Sequence, residues 1–261
     1  MKLGLVTYQL AQDWDLDRIL EMCPAHGFEG VELRATHAHG VEVDLSAEER
    51  AEVRKRFEDS PLALVQLGSA FEYHSDDPDE LRRNIEGTKE YAQLAADIGA
   101  PGIKVRPNRL MVDKGIPEEE TLKQMGESIA ECAEHAADLG VEIRVEVHGH
   151  GTQKPSRIRT ILDHADHPNV FANWNSNAGE VEDGSIRANF DLLAPDIAHV
   201  HMRDLCADDY PWLDLLRLLR GIDYEGYCCA EIPASEQPGR IMDYYRTVWD
   251  AYHHILDMEQ A

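Results

Sequence analysis

Short apolar segments alternate with long amphipathic segments eight times along this chain of 261 residues. The short segments have the alternating pattern of β-strands, and the long segments repeat apolar residues at helical spacing. The strand-like segments are KLGLVTY, GVELR, LALVQLGS, GIKVR, EIRVEVH, NVFANW, IAHVHMR and YCCAEI. The helical segments lie at about 15–26, 46–59, 78–98, 118–139, 156–165, 185–193, 210–220 and 238–258. Strict alternation at roughly 30 residues per unit predicts an α/β fold, a (β/α)8 TIM barrel.

The ends of the segments support this prediction. Four polar residues are placed to cap the starts of helices: Asp15, Ser46, Asp77 and Ser156. An open, doubly wound sheet is the structural alternative, but it usually needs a Gly-rich phosphate-binding turn after the first strand, and TYQLAQDWD contains no glycine. No linker or low-complexity segment divides the chain, so we predict one barrel domain over residues 1–261.

The composition restricts the partners of this protein. Fifty acidic residues against 25 basic ones give a formal net charge of −25, which repels phosphate backbones and anionic lipids. No stretch approaches the ~20 apolar residues of a membrane span, and the five cysteines form no CxxC pair. We therefore expect a cytoplasmic protein with reduced cysteines and with no nucleic-acid or membrane partner. The sequence leaves homo-oligomerisation open.

Ionisable residues occupy alternate positions in several of the predicted strands. In the fifth strand Ile143 and Val145 share one face, and Arg144 and Glu146 share the other. The apolar face must pack against the helices, so the charged face points into the barrel. The same alternation places further polar residues inward: Glu32, Arg34, Lys104, Arg106, Asn173, Asn175, His199, His201, Arg203 and Glu231.

Four of the inward residues lie near the ends of strands five to eight, where TIM barrels carry catalytic groups: Glu146, Asn175, His201 and Glu231. Two carboxylates, an imidazole and an amide oxygen could surround a divalent cation and leave coordination positions open. The alternative is a network of ion pairs that fills the barrel without metal, with Glu146 paired to Arg144 or Arg203. Periodicity alone does not distinguish the two.

Four of these segments also resemble a known family. GFEGVELR, VEVHGHG, HVHMRD and CCAEI, at strands two, five, seven and eight, are similar to motifs of the sugar phosphate isomerase/epimerase family. These proteins are xylose isomerase-like TIM barrels that include D-tagatose 3-epimerase and endonuclease IV. The similarity extends over essentially the whole chain in order and spacing.

This resemblance implies a metal site and its ligands. In the epimerases Glu, Asp, His and Glu from strands five to eight hold the metal, and the matching positions here are Glu146, Asn175, His201 and Glu231. Two positions depart from the family: Asn175 replaces the Asp, and Ala178 stands where a substrate-binding His is frequent. An Asn oxygen still ligates a hard cation. We expect one divalent ion, with Mn²⁺ or Mg²⁺ favoured and Co²⁺ or Zn²⁺ compatible.

The resemblance also implies the chemistry. The metal would stabilise an ene-diolate while Glu146 and Glu231, on opposite faces of the sugar carbon, remove and return a proton. Lys104 and Arg106 offer positive charge to a phosphate or carboxylate on the substrate. The full predicted substrate-binding set is His148, Arg203, His74, Glu72, Arg106 and Lys104.

We therefore expect a metal-dependent isomerase or epimerase of a small carbohydrate: a sugar, a sugar phosphate, or a related polyol or keto acid. One alternative is a non-catalytic sugar-binding barrel that lost its chemistry with the metal Asp. Another is a metal-dependent hydrolase of the endonuclease IV type, although Asn175, Ala178 and the net charge of −25 argue against it.

Overall fold

A computed structural model describes residues 1–259 as a closed barrel of eight parallel strands in the order β1 to β8, with β8 pairing to β1. The strands are β1 (Lys2–Val6), β2 (Gly30–Arg34), β3 (Ala63–Gly68), β4 (Gly102–Val105), β5 (Glu142–Glu146), β6 (Val170–Trp174), β7 (Ile197–Met202) and β8 (Tyr227–Ala230). The helices are α1 (Leu16–Ala25), α2 (Ala47–Glu58), α3 (Pro78–Ile98), α4 (Glu118–Asp138), α5 (Pro155–Ala165), α6 (Arg187–Leu193), α7 (Trp212–Gly221) and α8 (Pro238–Glu259). The predicted TIM barrel is confirmed.

Two other predictions concern the extent of the domain and the absence of a membrane span. Residues 260–261 of the predicted domain lie outside them, and the single-domain boundary stays a prediction. None of the helices within residues 1–259 combines the length and the apolar composition needed to cross a bilayer.

Helix ends follow the local signals of the sequence with one exception. Side-chain caps are confirmed at three predicted positions: Asp15, Ser46 and Asp77. Gly99 ends α3 at φ 85°, a left-handed conformation that glycine adopts without a Cβ clash. The cap predicted at Ser156 is wrong, because α5 begins at Pro155 with Lys154 as its N-cap. Proline suits the first helical position, since its fixed φ is helical and no N–H is needed there.

The two faces of each strand have different surroundings, as the alternation predicts. Ile143 and Val145 are fully buried in the main core between barrel and helices. Cys228 belongs to that core too, whereas its neighbour Cys229 packs with Val6 in a separate small cluster. All five cysteines are free, and Cys206 is the exposed one.

The interior of the barrel is a hydrogen-bonded polar layer. Arg144 donates to the Gln66 Oε1 at 3.0 Å, and the Gln66 amide donates to Asn173 Oδ1 at 3.0 Å and to Glu32. These side chains are buried, and His199 is buried with them. Hydrogen bonds lower the free-energy cost of burying these polar groups, although Glu32 Oε1 and His199 Nε2 have no hydrogen-bond partner within residues 1–259.

Candidate active site

A cavity of about 650 Å³ opens where the carboxyl ends of the strands meet. Seven of the predicted site residues line it: Glu146, Asn175, Glu231, Lys104, Arg106, His148 and Arg203. Arg34, which the strand alternation placed inward without a role, also lines the cavity, and the sequence did not predict the contributions of Tyr8, Ser176, Asn177 and Asp209. Glu72 and His74 are not among the lining residues.

His201 lies beneath the cavity and is held between two carboxylates. Its Nδ1 donates to Glu146 Oε1 at 3.2 Å, and its Nε2 donates to Glu32 Oε2 at 2.6 Å. Burial opposes the charged imidazole, but attraction to Glu32 and the hydrogen bond to Glu146 outweigh it and raise the pKa of His201 to about 10. The ring is therefore fixed in orientation, with Nδ1 directed to the cavity glutamate.

Glu32 is a site residue whose role the sequence did not reveal. It is fully buried on β2, and although burial opposes its charge, His201 and His199 hold its pKa well below the ordinary value. Ligand atoms of Glu32, His199 and His201 all lie within 4.8 Å of one another, a spacing at which they could hold a metal ion. The strand alternation indicated that all three point inward, but it could not indicate which of them meet.

Glu146 pairs with Lys104 rather than with an arginine. Lys104 Nζ lies 3.0 Å from Glu146 Oε2, and both side chains are buried. In the alternative ion-pair network, the partners predicted for Glu146 are wrong: Arg144 binds Glu142 at 2.7 Å, and Arg203 binds Asp209 at 2.8 Å. Burial opposes ionisation of Glu146, but Lys104 and His201 lower its pKa far below the ordinary value.

Glu231 follows β8 and differs from Glu146 in its ion pairing and in the direction of its pKa shift. Among residues 1–259 it has no ion-pair partner, and it lines the cavity. Burial raises the pKa of Glu231, the nearby Glu146 raises it further, and His201 and Lys104 lower it only in part. The two cavity glutamates thus differ, because Glu146 stays ionised whereas Glu231 more readily holds a proton.

The loop after β6 is anchored from below. Asn175 Oδ1 accepts from the Ser176 backbone N–H at 3.0 Å, and Asn177 Nδ2 donates to Glu180 Oε1 at 3.0 Å. Glu180 is fully buried, and Tyr210 donates to it at 2.6 Å. Burial raises the pKa of Glu180 to about 8, although these hydrogen bonds lower it. Sequence reasoning missed Glu180, since an acidic residue in a loop is ordinarily solvated.

Arg203 fixes the same loop from the side of β7. Its Nε donates to the Ser176 carbonyl at 2.6 Å, and one terminal nitrogen binds Asp209 at 2.8 Å. The guanidinium lies over the rings of Tyr210 and Trp212, 5.6 and 5.7 Å from their centroids. Its other terminal nitrogen, Nη2, is buried without a hydrogen-bond partner.

The remaining predicted substrate contacts divide into two groups. Arg106 and His148 line the cavity, and each carries a buried nitrogen without a partner, Arg106 Nε and His148 Nδ1. Burial lowers the pKa of His148, so its ring is neutral near pH 7. Glu72 instead contacts Arg106 at 2.6 Å, and His74 lies 3.6 Å from Glu72. These two residues support the arginine from outside the wall.

A sequence profile of the xylose isomerase-like TIM barrel family matches residues 20–248. The chain belongs to this family. Known structures have the same fold. One is D-psicose 3-epimerase from Clostridium cellulolyticum H10, crystallised with D-tagatose. It superposes with a TM-score of 0.81 at 17% identity, over 98% of this chain and 99% of that one. An L-ribulose 3-epimerase also gives 0.81, at 14% identity over 100% and 98%.

The IOLI protein, whose structure contains a zinc atom, superposes with a TM-score of 0.76 at 17% identity over 97% of this chain and 96% of that one. A search of curated proteins finds no significant match to this chain. At such low identities the structural matches establish the fold. The predicted resemblance to the family is confirmed.

Proposed function

We propose that this xylose isomerase-like barrel is a divalent-metal-dependent isomerase or epimerase of a small carbohydrate, acting through an ene-diolate. One observation carries the proposal: His201 is held between Glu32 and Glu146 directly beneath a cavity that Glu231 also lines. Sugar epimerases among the similar structures support it.

The donor set suits a divalent cation. Ligands on one small cation lie ~3 Å apart, given bond lengths of ~2.1 Å, and Glu146 Oε1 is already 3.2 Å from His201 Nδ1. Asn175 and Glu231 from the same cavity would complete the set. Glu32 on the far nitrogen of His201 resembles the carboxylates that orient histidine ligands in metalloenzymes. Mn²⁺ or Mg²⁺ is favoured by three oxygen donors, and the zinc in the IOLI structure makes Zn²⁺ a second choice.

The two glutamates would divide the proton transfer. A bound divalent ion would polarise the substrate carbonyl and stabilise negative charge on the ene-diolate. Glu231, whose pKa is raised, takes the proton from the carbon next to the carbonyl and holds it. Return of that proton from Glu231 to the former carbonyl carbon, with the hydroxyl proton shifted between the two oxygens, would give isomerisation. Return of a proton to the original carbon from the opposite face would give epimerisation. Glu146 is ionised and has no proton of its own, so the Lys104 ammonium, 3.0 Å from Glu146 Oε2, would supply that proton through Glu146 and would regain one from the proton that Glu231 releases.

The test is solvent exchange. Ketoses and sugar acids are incubated with the protein in D₂O, and deuterium at carbon is followed by NMR, with Mn²⁺ and with a chelator. We expect deuterium incorporation that the chelator abolishes and Mn²⁺ restores. Metal-independent exchange would contradict the proposal. Sugar binding without exchange and without bound metal would favour a non-catalytic barrel.

A further inference from the structure

Basic residues outnumber acidic ones in the cavity lining, whereas acidic residues outnumber basic ones in the whole chain. Four of the 13 lining residues are basic and three are acidic, whereas the whole chain has 25 basic residues against 50 acidic ones. The lining residues thus have a small positive balance of charge, opposite in sign to that of the whole chain. A positive balance in a cavity favours the binding of anions.

Three of the four basic residues are already paired with carboxylates. Lys104 binds Glu146 at 3.0 Å, and the pairs of Arg106 with Glu72 and Arg203 with Asp209 measure 2.6 and 2.8 Å. Arg34 is different. Among the described residues no carboxylate lies within the 4.0 Å of an ion pair from it, although it lines the same cavity.

Arg34 is also braced in position. Its side chain donates to the Gly68 carbonyl at 3.1 Å through one nitrogen, and this is its one side-chain hydrogen bond within residues 1–259. A Cβ at residue 68 would lie 3.1 Å from Arg34 Cδ and would overlap the Glu32 carboxylate, so the glycine leaves the space that both side chains occupy. The rest of the guanidinium fork is free to bind a ligand.

We propose that the substrate carries an anionic group, a carboxylate or a phosphate, which the Arg34 guanidinium binds. The inference deepens the proposed function and rests on it for the identity of the site. Arg34 ends β2, Glu146 ends β5, and Glu231 directly follows β8. One end of the substrate is therefore anchored by charge while the carbonyl end faces the glutamates. A guanidinium recognises planar or tetrahedral oxyanions by paired hydrogen bonds, which lysine cannot reproduce.

The experiment uses three ligands that differ only at carbon 6: D-fructose, D-fructuronate and D-fructose 6-phosphate. Calorimetric titration of the Mn²⁺-supplemented protein gives the Kd of each. We expect at least one anion to bind about 10- to 100-fold more tightly than D-fructose, and the tighter of the two identifies the source of the charge. Arg34→Gln should remove that preference, so that neither anion binds this variant more tightly than D-fructose does.

Arg83→Gln is the matched control, because Arg83 is exposed on α3 and loses the same charge. Arg34→Lys, which keeps the charge but loses the fork, should retain only part of the preference. The proposal is overturned if D-fructose binds as tightly as both anions, if neither anion binds, or if Arg34→Gln binds anions like the wild type. Binding is measured separately from deuterium exchange. Exchange without a preference for anions would contradict this inference alone. Arg34-dependent binding without exchange would contradict the proposed reaction alone.

Discussion

At the scale of single residues, burial and charge give the two cavity glutamates different tasks. Glu146 is held ionised by Lys104 and His201, whereas Glu231 lacks an ion-pair partner among the described residues and has a raised pKa. A general base works best when its pKa lies close to the working pH. Glu231 is therefore the better proton carrier, and Glu146 is the better ligand.

Glu231→Gln should keep the fold and lower deuterium exchange by about 10²- to 10⁴-fold, since an amide cannot take the proton. The matched control is Glu225→Gln, a change at an exposed residue just before β8. NMR exchange rates of both variants against wild type check this prediction. Retention of more than half the activity in Glu231→Gln would remove this residue from the mechanism.

Asn175 is the residue that separates this chain from the family pattern. Asn175→Asp should tighten metal binding, because an anionic oxygen binds a hard cation better than an amide does. Without metal, a carboxylate added beside Glu146 and Glu231 should lower the melting temperature. Paired melts with chelator and with excess Mn²⁺ measure both effects. An equal or smaller metal-induced rise in the mutant would show that residue 175 does not face the ion.

At the scale of elements, the loop from β6 to α6 depends on a buried acid. Glu180 has a pKa of about 8 in the folded protein against 4.5 in the unfolded chain, so the folded state holds the extra proton between these values. The contribution of Glu180 to the free energy of unfolding should therefore fall as pH rises from 4.5 to 8, by up to about 1.4 kcal/mol per pH unit. Buried histidines of lowered pKa, such as His199, act in the opposite sense below pH 6.5.

Glu180→Gln should remove this contribution to the pH dependence, whereas Glu182→Gln, at an exposed neighbour, should leave the pH dependence unchanged. Urea unfolding at several pH values between 4.5 and 8 provides the comparison. Parallel stability curves for Glu180→Gln and wild type would mean that Glu180 titrates normally in the folded protein.

Strand alternation predicted which residues enter the barrel but not which of them meet. His201 contacts Glu32 across 169 positions of sequence, and that contact depends on the stagger between β2 and β7. Loop residues were harder still. Tyr8 and Asn177 line the cavity from loops, whose conformation has no periodic sequence pattern. The anchoring role of Glu180 depends on its hydrogen bond with Tyr210, a contact between residues far apart in sequence.

At the scale of the whole molecule, alternation of strands and helices was sufficient to predict the barrel, because each element must bury one face and only a few layered arrangements allow it. The net charge of −25 acts at this scale too. Like charges spread over the surface repel one another in the compact state, and salt screens them.

We therefore expect the melting temperature at pH 7 to rise by a few degrees as NaCl increases from low concentration to 0.5 M. Exposed ion pairs such as Arg54 with Glu58 weaken in salt, but each contributes little. Calorimetric melts across a salt series measure the balance. A falling melting temperature would show that attractive pairs dominate the surface electrostatics.

The proposed function requires a single divalent-metal site at the cavity rather than at the deeper group of Glu32, His199 and His201. Equilibrium dialysis against Mn²⁺ measures the number of bound ions in wild type, Glu146→Gln and His199→Ala. We predict one ion per chain in wild type, a marked loss in Glu146→Gln and little change in His199→Ala. Undiminished binding in Glu146→Gln, or loss in His199→Ala alone, would contradict the site proposed for this barrel.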